Sequence, residues 1–475
     1  MLATCNWNDP TKPLFITSKF GLDGSGSHQI RHQKADKEDV PGRDPVSFIG
    51  AFWCPLKLTS TDAVVWENPL PNSTLFCRPV SLMRGKEERE NIDIHFKPIL
   101  ENIDSLETNS TPIITGDVAC DLAFSCEISM VDGKMVDILQ GDSGSFCHYC
   151  DVTKETANNL EAIQIGFPIT KTYEQVKERW EKLAAGDIIY NDPARKGQCH
   201  EPMIKKDLRH FANLHAKLRS LDFCLKLLYH IESGQTHTWS ESNPNVLQAV
   251  KLAKKQVREK ISELCGLVLD TPTSNGGNTN TGPTADRFFG VAEREYICSV
   301  IQHEENRNNF SILLRFFNQM LKVAQRCDNN MIAIPEKVTQ LGKALMVHIK
   351  ETFPFAVISP SVHQMAAHSG QLFELTEGKP IAIYAEQSGD AWNKYIRAYK
   401  SGPTARARQL SIELNTRDIF TRMMLQSHPS IAMKKRQIQC HACGSIGHTL
   451  MSCKTRVSTA LDEEESAVWD CYSID

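Results

Sequence analysis

Residues 14–26 read LFITSKFGLDGSG, and this stretch decides the class of fold that the sequence can form. The alternating apolar residues of Leu14–Phe20 favour a β-strand. The glycines of Gly21–Gly26 favour a turn that ends the strand. The sequence therefore predicts that Asp23 lies at the C-terminal end of a strand.

Further strands follow this first one. Phe48–Leu58 and Ala63–Glu67 have strand character, and Thr74–Leu82 returns the chain after a proline-rich turn, as in an antiparallel meander. Another apolar run, Ile114–Val131, ends at Asp132, which gives a second aspartate at a strand end.

Helical spacing of apolar residues dominates the middle of the chain, from Thr172 to Arg326. Glu386 precedes a last segment of helical character, Gln387–Lys400. A β-rich start followed by many helices predicts an α+β fold.

The composition is that of an ordinary globular protein. The 475 residues are 41% hydrophobic and 23% charged, which excludes wholesale disorder, collagen and coiled coil. Because no run of 18 apolar residues and no signal peptide are visible, we expect a soluble, intracellular chain with no membrane contact. The net charge of −4 argues against a protein that coats nucleic acid over its whole surface.

The charge is unevenly distributed near the end of the sequence. Asp390–Arg456 contains 12 basic and 3 acidic residues, a local charge of +9, whereas Val457–Asp475 contains 6 acidic and no basic residues. This pattern favours a polyanionic partner and a disordered end. The alternative is a solvated helix face with a frayed tail.

Four residues of the basic region have the spacing of a zinc knuckle. Three thiolates and one imidazole suit tetrahedral zinc, and two glycines allow the tight turns between them. The module is typical of proteins that bind single-stranded or distorted nucleic acid. The predicted ligands are Cys440, Cys443, His448 and Cys453.

A second set of potential zinc ligands is spread over the sequence. Cys147 and Cys150 form a CxxC pair, and His363 and His368 follow more than 200 residues later. Alone, the CxxC pair favours two core or redox thiols over a metal site, although a thioredoxin-like βαβ context is absent. Together the four residues could hold a zinc ion that joins the start and end of a helical insertion.

Three acidic residues form a further candidate set. Asp23, Asp132 and Glu386 each lie at a strand end or helix start, and carboxylates held close together need cations to neutralise them. With 57 acidic residues in the chain, the sequence alone does not establish that these three converge.

Three blocks of sequence resemble the family of recombination-activating protein one and the Transib transposases. They are Asn72–Met83 (NSTLFCRPVSLM), Ser143–Thr153 (SGSFCHYCDVT) and Ala385–Lys394 (AEQSGDAWNK). The resemblance extends from about Phe15 to Gln426 and is weakest in the helical middle.

The resemblance implies an RNase H-like catalytic core with a large zinc-bearing helical insertion. Asp23, Asp132 and Glu386 match the family's D-D-E triad, which implies two Mg²⁺ or Mn²⁺ ions as cofactors. Asp137 remains an alternative to Asp132, because the spacing to the CxxC pair is shorter than in the vertebrate proteins. The ligands of the insertion zinc match Cys147, Cys150, His363 and His368, so that with the knuckle two zinc ions are expected.

The resemblance also implies a function. We expect a DDE-type DNA transposase or recombinase that nicks double-stranded DNA and forms hairpins at terminal repeats or recombination signals. A homodimer, a second recombination-activating subunit and a location in the nucleus are implied as well. The alternative is a catalytically inactive nucleic-acid-binding zinc protein derived from such a transposase. The candidate phosphate contacts are Lys394, Arg397, Lys400, Arg406, Arg408, Lys434, Lys435 and Arg436.

The predicted organisation combines these observations. We expect the sequence to lack the family's N-terminal DNA-end-binding and dimerisation domain. The predicted parts are a first core segment (1–140), the helical zinc-binding insertion (141–370), a second core segment with the catalytic Glu (371–426), the basic CCHC knuckle (427–456) and an acidic disordered tail (457–475).

Overall fold

The computed structural model of the 475-residue chain describes most of the sequence. The described residues are 12–28, 46–61, 63–115, 118–143, 146–189, 192–207, 212–234, 244–270, 280–327, 331–401, 412–427 and 471–474.

The described residues contain eight strands and fifteen α-helices. The strands are β1 (Leu14–His28), β2 (Val46–Ser60), β3 (Ala63–Glu67), β4 (Arg78–Arg84), β5 (Thr111–Thr115), β6 (Val118–Ile128), β7 (Met331–Ala333) and β8 (Tyr472–Ile474). The helices are α1 (Arg89–His95), α2 (Lys97–Thr108), α3 (Gly133–Gln140), α4 (Lys154–Ala157), α5 (Leu160–Ile165), α6 (Tyr173–Ala185), α7 (Asn213–Glu232), α8 (Pro244–Cys265), α9 (Gly282–Phe289), α10 (Val291–Ser299), α11 (Glu304–Gln325), α12 (Pro335–Thr352), α13 (Pro360–Leu375), α14 (Gln387–Ser401) and α15 (Ile412–Gln426).

The chain divides into two compact units. The first contains residues 1–144, 173–212 and 383–459, and the second contains 145–172, 213–382 and 460–475. The expected insertion, 141–370, thus differs from the second unit in its limits, because residues 173–212 belong to the first. Lys206 shows why: its ammonium group donates to Glu107 of α2 at 2.7 Å and to the carbonyl oxygen of Cys126 in β6 at 2.6 Å.

The first unit is built on a six-stranded mixed sheet. The strand order is β3-β2-β1-β6-β5, and β4 pairs with β2 outside this path. Strands β1 and β6 are parallel, with Phe20 opposite Ile128, and the other neighbours in this sheet are antiparallel.

Helices cover both faces of this sheet. Because side chains alternate along a strand, Phe20 and Leu22 of β1 point to one face, where they join a core with Ile92 and Phe96 from the α1 region. Residues 19, 21 and 23 point to the opposite face. There, Phe52 of β2 packs in a core that includes residues of α14 and α15.

Strand β1 is longer than the sequence predicts. It continues through the glycine-rich segment to His28, so Asp23 lies within the strand and not behind its end. The strand persists because residues 21–25 pair with β2 after the pairing with β6 has ended at Phe20. The glycines allow close approach instead of a turn: a Cβ atom at Gly21 would collide with the backbone of Met130.

The second unit is helical, and glycines bring its helices α12 and α13 into backbone contact. A Cβ atom at Gly342 of α12 would collide with the carbonyl group of Ala366 in α13. Likewise, a Cβ atom at Gly370 of α13 would collide with Thr339 of α12. This contact fixes α13, which carries His363 and His368, against its neighbour.

Two predictions about loops and helices are corrected in this unit. The helical pattern that extends to Arg326 is interrupted by Val300–His303, which separates α10 from α11. The polar composition of Thr271–Asp286 predicts a flexible loop over this whole segment. However, α9 begins at Gly282, because Thr281 caps it by accepting from the N–H of Thr284 at 3.4 Å.

The acidic tail contains a strand where disorder is expected. Residues 472–474 form β8, which pairs antiparallel with β7 of the same unit. The N–H of Ile334 donates to the carbonyl oxygen of Cys471 at 2.6 Å, and the Cys471 side chain is buried. Backbone pairing and one buried thiol hold this segment, and neither is visible in a charge pattern.

None of the described helices is both long enough and apolar enough to cross a membrane.

Candidate functional site

The second unit contains a group of four buried metal-ligand residues. One ligand atom from each of Cys147, Cys150, His363 and His368 lies within 4.8 Å of the others. The two histidines come from α13, and the two cysteines follow the first core segment. Two thiols and two imidazoles at these separations are the donor set of a structural zinc site.

Hydrogen bonds orient the ligands toward one point. Nε2 of His363 lies 3.4 Å and Nε2 of His368 lies 3.3 Å from Sγ of Cys150. On its other side, Nδ1 of His368 lies 2.8 Å from Oε1 of Gln371, whose amide nitrogen donates to the carbonyl oxygen of Phe167 at 3.0 Å. A contact of this kind fixes the ring tautomer and leaves Nε2 free as a metal ligand.

The electrostatic environment favours a thiolate at this centre. Burial disfavours ionisation of Cys147, but hydrogen bonds from Cys150 and both histidines outweigh it and hold the pKa of the Cys147 thiol well below its usual range. The N–H of Tyr149 also donates to Sγ of Cys147 at 3.4 Å. A thiolate is the protonation state that binds zinc.

The first unit contains the three carboxylates that the sequence singles out. Asp23 lies on β1, three residues beyond Phe20, where the parallel pairing with β6 ends. Asp132 follows the end of β6 by four residues. Both aspartates thus lie beyond the carboxyl end of the same parallel strand pair, which is where open α/β sheets place their ligand sites.

Glu386 immediately precedes α14, and its side chain is buried, with 4% of its surface exposed. Its carbonyl oxygen accepts from the N–H groups of Gly389 and Asp390, which begins the helix. Further along α14, Ser388 contacts Met130, and Nδ2 of Asn393 donates to Oδ2 of Asp23 at 2.8 Å. Helix α14 therefore lies on the β1 face that carries Asp23.

Asp132 has a structural role in addition to its expected catalytic one. It is the N-cap of α3, and its Oδ1 accepts from the N–H of Met135 at 2.8 Å. Asp137, the alternative, lies within α3 and is half-buried. Cap formation occupies one carboxylate oxygen of Asp132 and fixes its side chain at the helix start.

The three carboxylates are not in mutual contact. Among the described residues, only the Cys/His group has three or more ligand atoms within 4.8 Å of one another.

An ion pair links the chain segments of the two aspartates. Oε2 of Glu87 lies 3.2 Å from Nζ of Lys134, two residues after Asp132. The same carboxylate occupies the space beside Gly24, where a Cβ atom would collide with it. No sequence pattern singles out Glu87, because its partners are distant in the chain.

Most of the predicted DNA-contact residues lie outside the part of the chain that the structure describes. Lys394 is exposed on α14. Arg397 and Lys400 belong to α14, of which only the backbone is described at those positions. Arg406, Arg408, Lys434, Lys435 and Arg436 lie outside the described residues, as do the knuckle ligands Cys440, Cys443, His448 and Cys453.

Comparison with known proteins identifies the first unit's fold. The family model of the Recombination-activation protein 1 (RAG1) RNase H domain matches residues 16–145. This segment contains β1 to β6 and both aspartates. The chain therefore contains an RNase H-like domain of the type found in recombinases.

Curated relatives extend the similarity over most of the chain. V(D)J recombination-activating protein 1 of Oryctolagus cuniculus is 20% identical over 410 residues, which are 82% of this chain and 37% of that protein. The protein of the same name from Sus scrofa is 21% identical over 411 residues, with the same two shares. That of Xenopus laevis is 22% identical over 352 residues, 71% of this chain and 32% of its own length.

These matches confirm the resemblance predicted from the three sequence blocks. The chain is related to V(D)J recombination-activating protein 1 and spans about a third of the length of these relatives. A recombinase- or transposase-derived protein with a nuclease-related fold is the class that the matches define.

Proposed function

We propose that this chain is the catalytic core of a DDE-type DNA transposase or recombinase. The observation that carries the proposal is the contact between Asn393 and Asp23. Through this contact α14, which directly follows Glu386, packs on the strand that carries the first aspartate. The proposed substrate is double-stranded DNA with terminal repeats or recombination signals, cut by nicking and then hairpin formation.

Asp23, Asp132 and Glu386 are the proposed magnesium ligands. The residues present fit hard cations, because carboxylates are accompanied by a buried amide oxygen, Oδ1 of Asn393, that accepts no hydrogen bond from the described residues. Two bound Mg²⁺ or Mn²⁺ ions would supply activation of the attacking hydroxyl group and stabilisation of the leaving oxygen.

The protein's own contribution is to position the three carboxylates. Asn393 holds one oxygen of Asp23, the first turn of α3 holds one oxygen of Asp132, and Glu386 is buried directly before α14. Each carboxylate is thereby attached to a regular element, which limits its movement before the metal binds.

Zinc is the proposed structural metal. Cys147, Cys150, His363 and His368 would hold one ion in the second unit, where their buried ligand atoms already surround one point. A second ion at the knuckle is proposed from ligand spacing alone. We also propose, from the family resemblance, a nuclear homodimer that acts with a second recombination-activating subunit.

The test is strand cleavage of terminal-repeat DNA in Mg²⁺ or Mn²⁺, with and without the second subunit. Glu386→Gln should keep DNA binding and abolish nicking, because a ligand charge is lost while the shape is retained. Glu90→Gln, on an exposed position of α1, is the matched control and should cleave normally. Equal cleavage by both variants contradicts the assignment, and DNA binding without cleavage by the unmodified chain supports the inactive zinc-protein alternative.

A further inference from the structure

One side chain beside the proposed metal site has an unusual hydrogen-bonding state. Asn393 is buried, with 5% of its surface exposed. Its Nδ2 group donates to Oδ2 of Asp23 at 2.8 Å and lies 3.5 Å from the carbonyl oxygen of Gly24. Its Oδ1 atom is buried and accepts no hydrogen bond from any residue that the structure describes.

The contact with Asp23 determines which way the amide group faces. A carboxylate can only accept, so the NH₂ group of Asn393 has to face Asp23 and the amide oxygen has to point away from that contact. Turning the amide over would place two oxygens against each other. The lone pairs of Oδ1 are therefore directed at a position that no described side chain or backbone donor fills.

A buried acceptor without a partner costs free energy, and native structures rarely tolerate one unless a ligand, ion or water fills the place. Amide oxygens are ordinary ligands of hard divalent cations, together with carboxylates. The partner that suits Oδ1 of Asn393 is thus a cation or a water molecule bound to it.

The position of Asn393 on α14 supports the same assignment. It follows Glu386 by seven residues, or two helical turns, so both side chains lie on one face of the helix. That face is in contact with β1 through Asp23. Asn393 and Asp23 thus meet on the β1 face against which α14 packs, and Glu386 directly precedes that helix.

The segment just before α14 is also attached to β1. Nζ of Lys19 donates to the carbonyl oxygen of Ala385 at 2.8 Å. The four residue steps from Lys19 to Asp23 along the strand span about 13 Å, and the eight steps from Ala385 to Asn393 span about 12 Å at helical rise. Both contacts therefore fit one helix lying along β1. Asn393 thus lies on a helix that is anchored to β1 at two points.

We propose that Asn393 is a further residue of the divalent-metal site: its NH₂ group positions Asp23, and its amide oxygen is an oxygen donor to the cation that Asp23 and Glu386 bind. This inference deepens the proposed function and rests on it. It assigns a role to a side chain outside the triad of acidic residues.

Direct metal binding separates this role from a merely structural one. Mn²⁺ is titrated into the full-length chain without DNA, and free Mn²⁺ is followed by electron paramagnetic resonance. Asn393→Leu removes both functions and should weaken Mn²⁺ binding about 10-fold or more, as loss of a residue that supports a metal site typically does. Asn393→Asp keeps an oxygen donor and should bind Mn²⁺ at least as tightly as the unmodified chain, although it loses the donor to Asp23.

The controls distinguish failure of this inference from failure of the proposed function. Asp23→Asn and Glu386→Gln should both weaken Mn²⁺ binding, and Asn308→Leu, on an exposed position of α11, should not. If the two acidic variants lose affinity while Asn393→Leu keeps it, Asn393 has no part in the site. If the acidic variants keep full affinity, the proposed metal site itself is wrong.

The comparison of the two Asn393 variants decides the role of the amide oxygen. Equal loss of Mn²⁺ affinity in Asn393→Leu and Asn393→Asp contradicts the oxygen-donor role, because only the N–H contact would then matter. Where Asn393→Leu does not fold, as judged from its thermal unfolding, Asn393→Ala replaces it in the same comparison.

Discussion

The ammonium group of Lys19 and the carbonyl oxygen of Ala385 are 2.8 Å apart, although 366 residues separate them in the sequence. Lys19 is completely buried on β1, and it also donates to Oδ1 of Asn72 at 3.0 Å. One cation thus joins the central strand, the loop before β4 and the residue that precedes Glu386. A buried charge is retained at this cost in desolvation only where its hydrogen bonds are satisfied.

The first prediction concerns this lysine. Lys19→Met should lower the free energy of unfolding by about 1–3 kcal/mol, because Ala385 and Asn72 each lose a donor while the apolar side chain offsets part of the loss. It should also slow metal-dependent cleavage, since the start of α14 is released. The measurements are urea unfolding for stability and DNA nicking for activity.

Lys97→Met, at a partly exposed ion pair with Asp93, is the control for the Lys19 variant and should change stability by less than about 0.5 kcal/mol. Equal stability of the two variants contradicts the anchoring role of Lys19.

The sequence could predict the chemistry of the site better than its architecture. Asp23 is recognisable as a candidate site residue, because it follows a strand pattern and lies among glycines. Those glycines favour a turn, however, at a place where the strand continues. Gly21 is needed for the approach of Met130, a tertiary contact that leaves no trace in local spacing. Lys19 and Asn393 could not be found in this way, since their partners lie about 370 residues away. The strand β8 could not be predicted from the sequence, because its acidic surroundings resemble a disordered tail.

The second prediction tests the Cys/His group. Cys147→Ala or His363→Ala should reduce the zinc content by one equivalent and unfold the second unit at lower temperature. The free energy of metal binding to such a site is folding free energy, on the order of 10 kcal/mol. Zinc is measured by atomic absorption and unfolding by calorimetry. Cys265→Ala, a half-exposed thiol of α8 in the same unit, should keep all of the zinc. A Cys147→Ala protein with unchanged zinc content and melting temperature shows that these four residues share no ion.

The third prediction concerns pH and His230 of α7. Burial, and then the charges of Lys226 and Lys254, lower the pKa of His230 below its ordinary value of 6.5. The unfolded chain therefore binds a proton at higher pH than the folded one does, so stability is present above pH 6.5 and is lost as the pH falls below it. His230→Gln should lose less stability between pH 7.5 and 5.5 than the unmodified protein, as measured by urea unfolding at each pH. Asn308→Gln, a non-titrating change on an exposed position of α11, is the control and should leave the pH dependence unchanged. Identical pH profiles for His230→Gln and the unmodified chain contradict the assignment.

The last prediction separates the basic knuckle region from β8. Both follow Gln426, so deleting everything beyond that residue removes two different things: the charges near the proposed knuckle and the strand that pairs with β7. Internal substitutions avoid this confusion. Replacing Lys434, Lys435 and Arg436 by Gln should weaken DNA binding and reduce the slope of log K against log salt by roughly 0.7–0.9 per lost phosphate contact.

Deleting residues 471–475 is the complementary change. It removes the partner of β7 and the buried Cys471 and should lower the melting temperature of the second unit, but leave the salt slope of DNA binding unchanged. DNA binding is measured by fluorescence anisotropy at several salt concentrations, and stability by calorimetry. If the charge variant keeps the full salt slope, the knuckle region does not contact phosphates. If the deletion instead flattens the slope at unchanged melting temperature, β8 belongs to the DNA-binding surface and does not stabilise the helical unit.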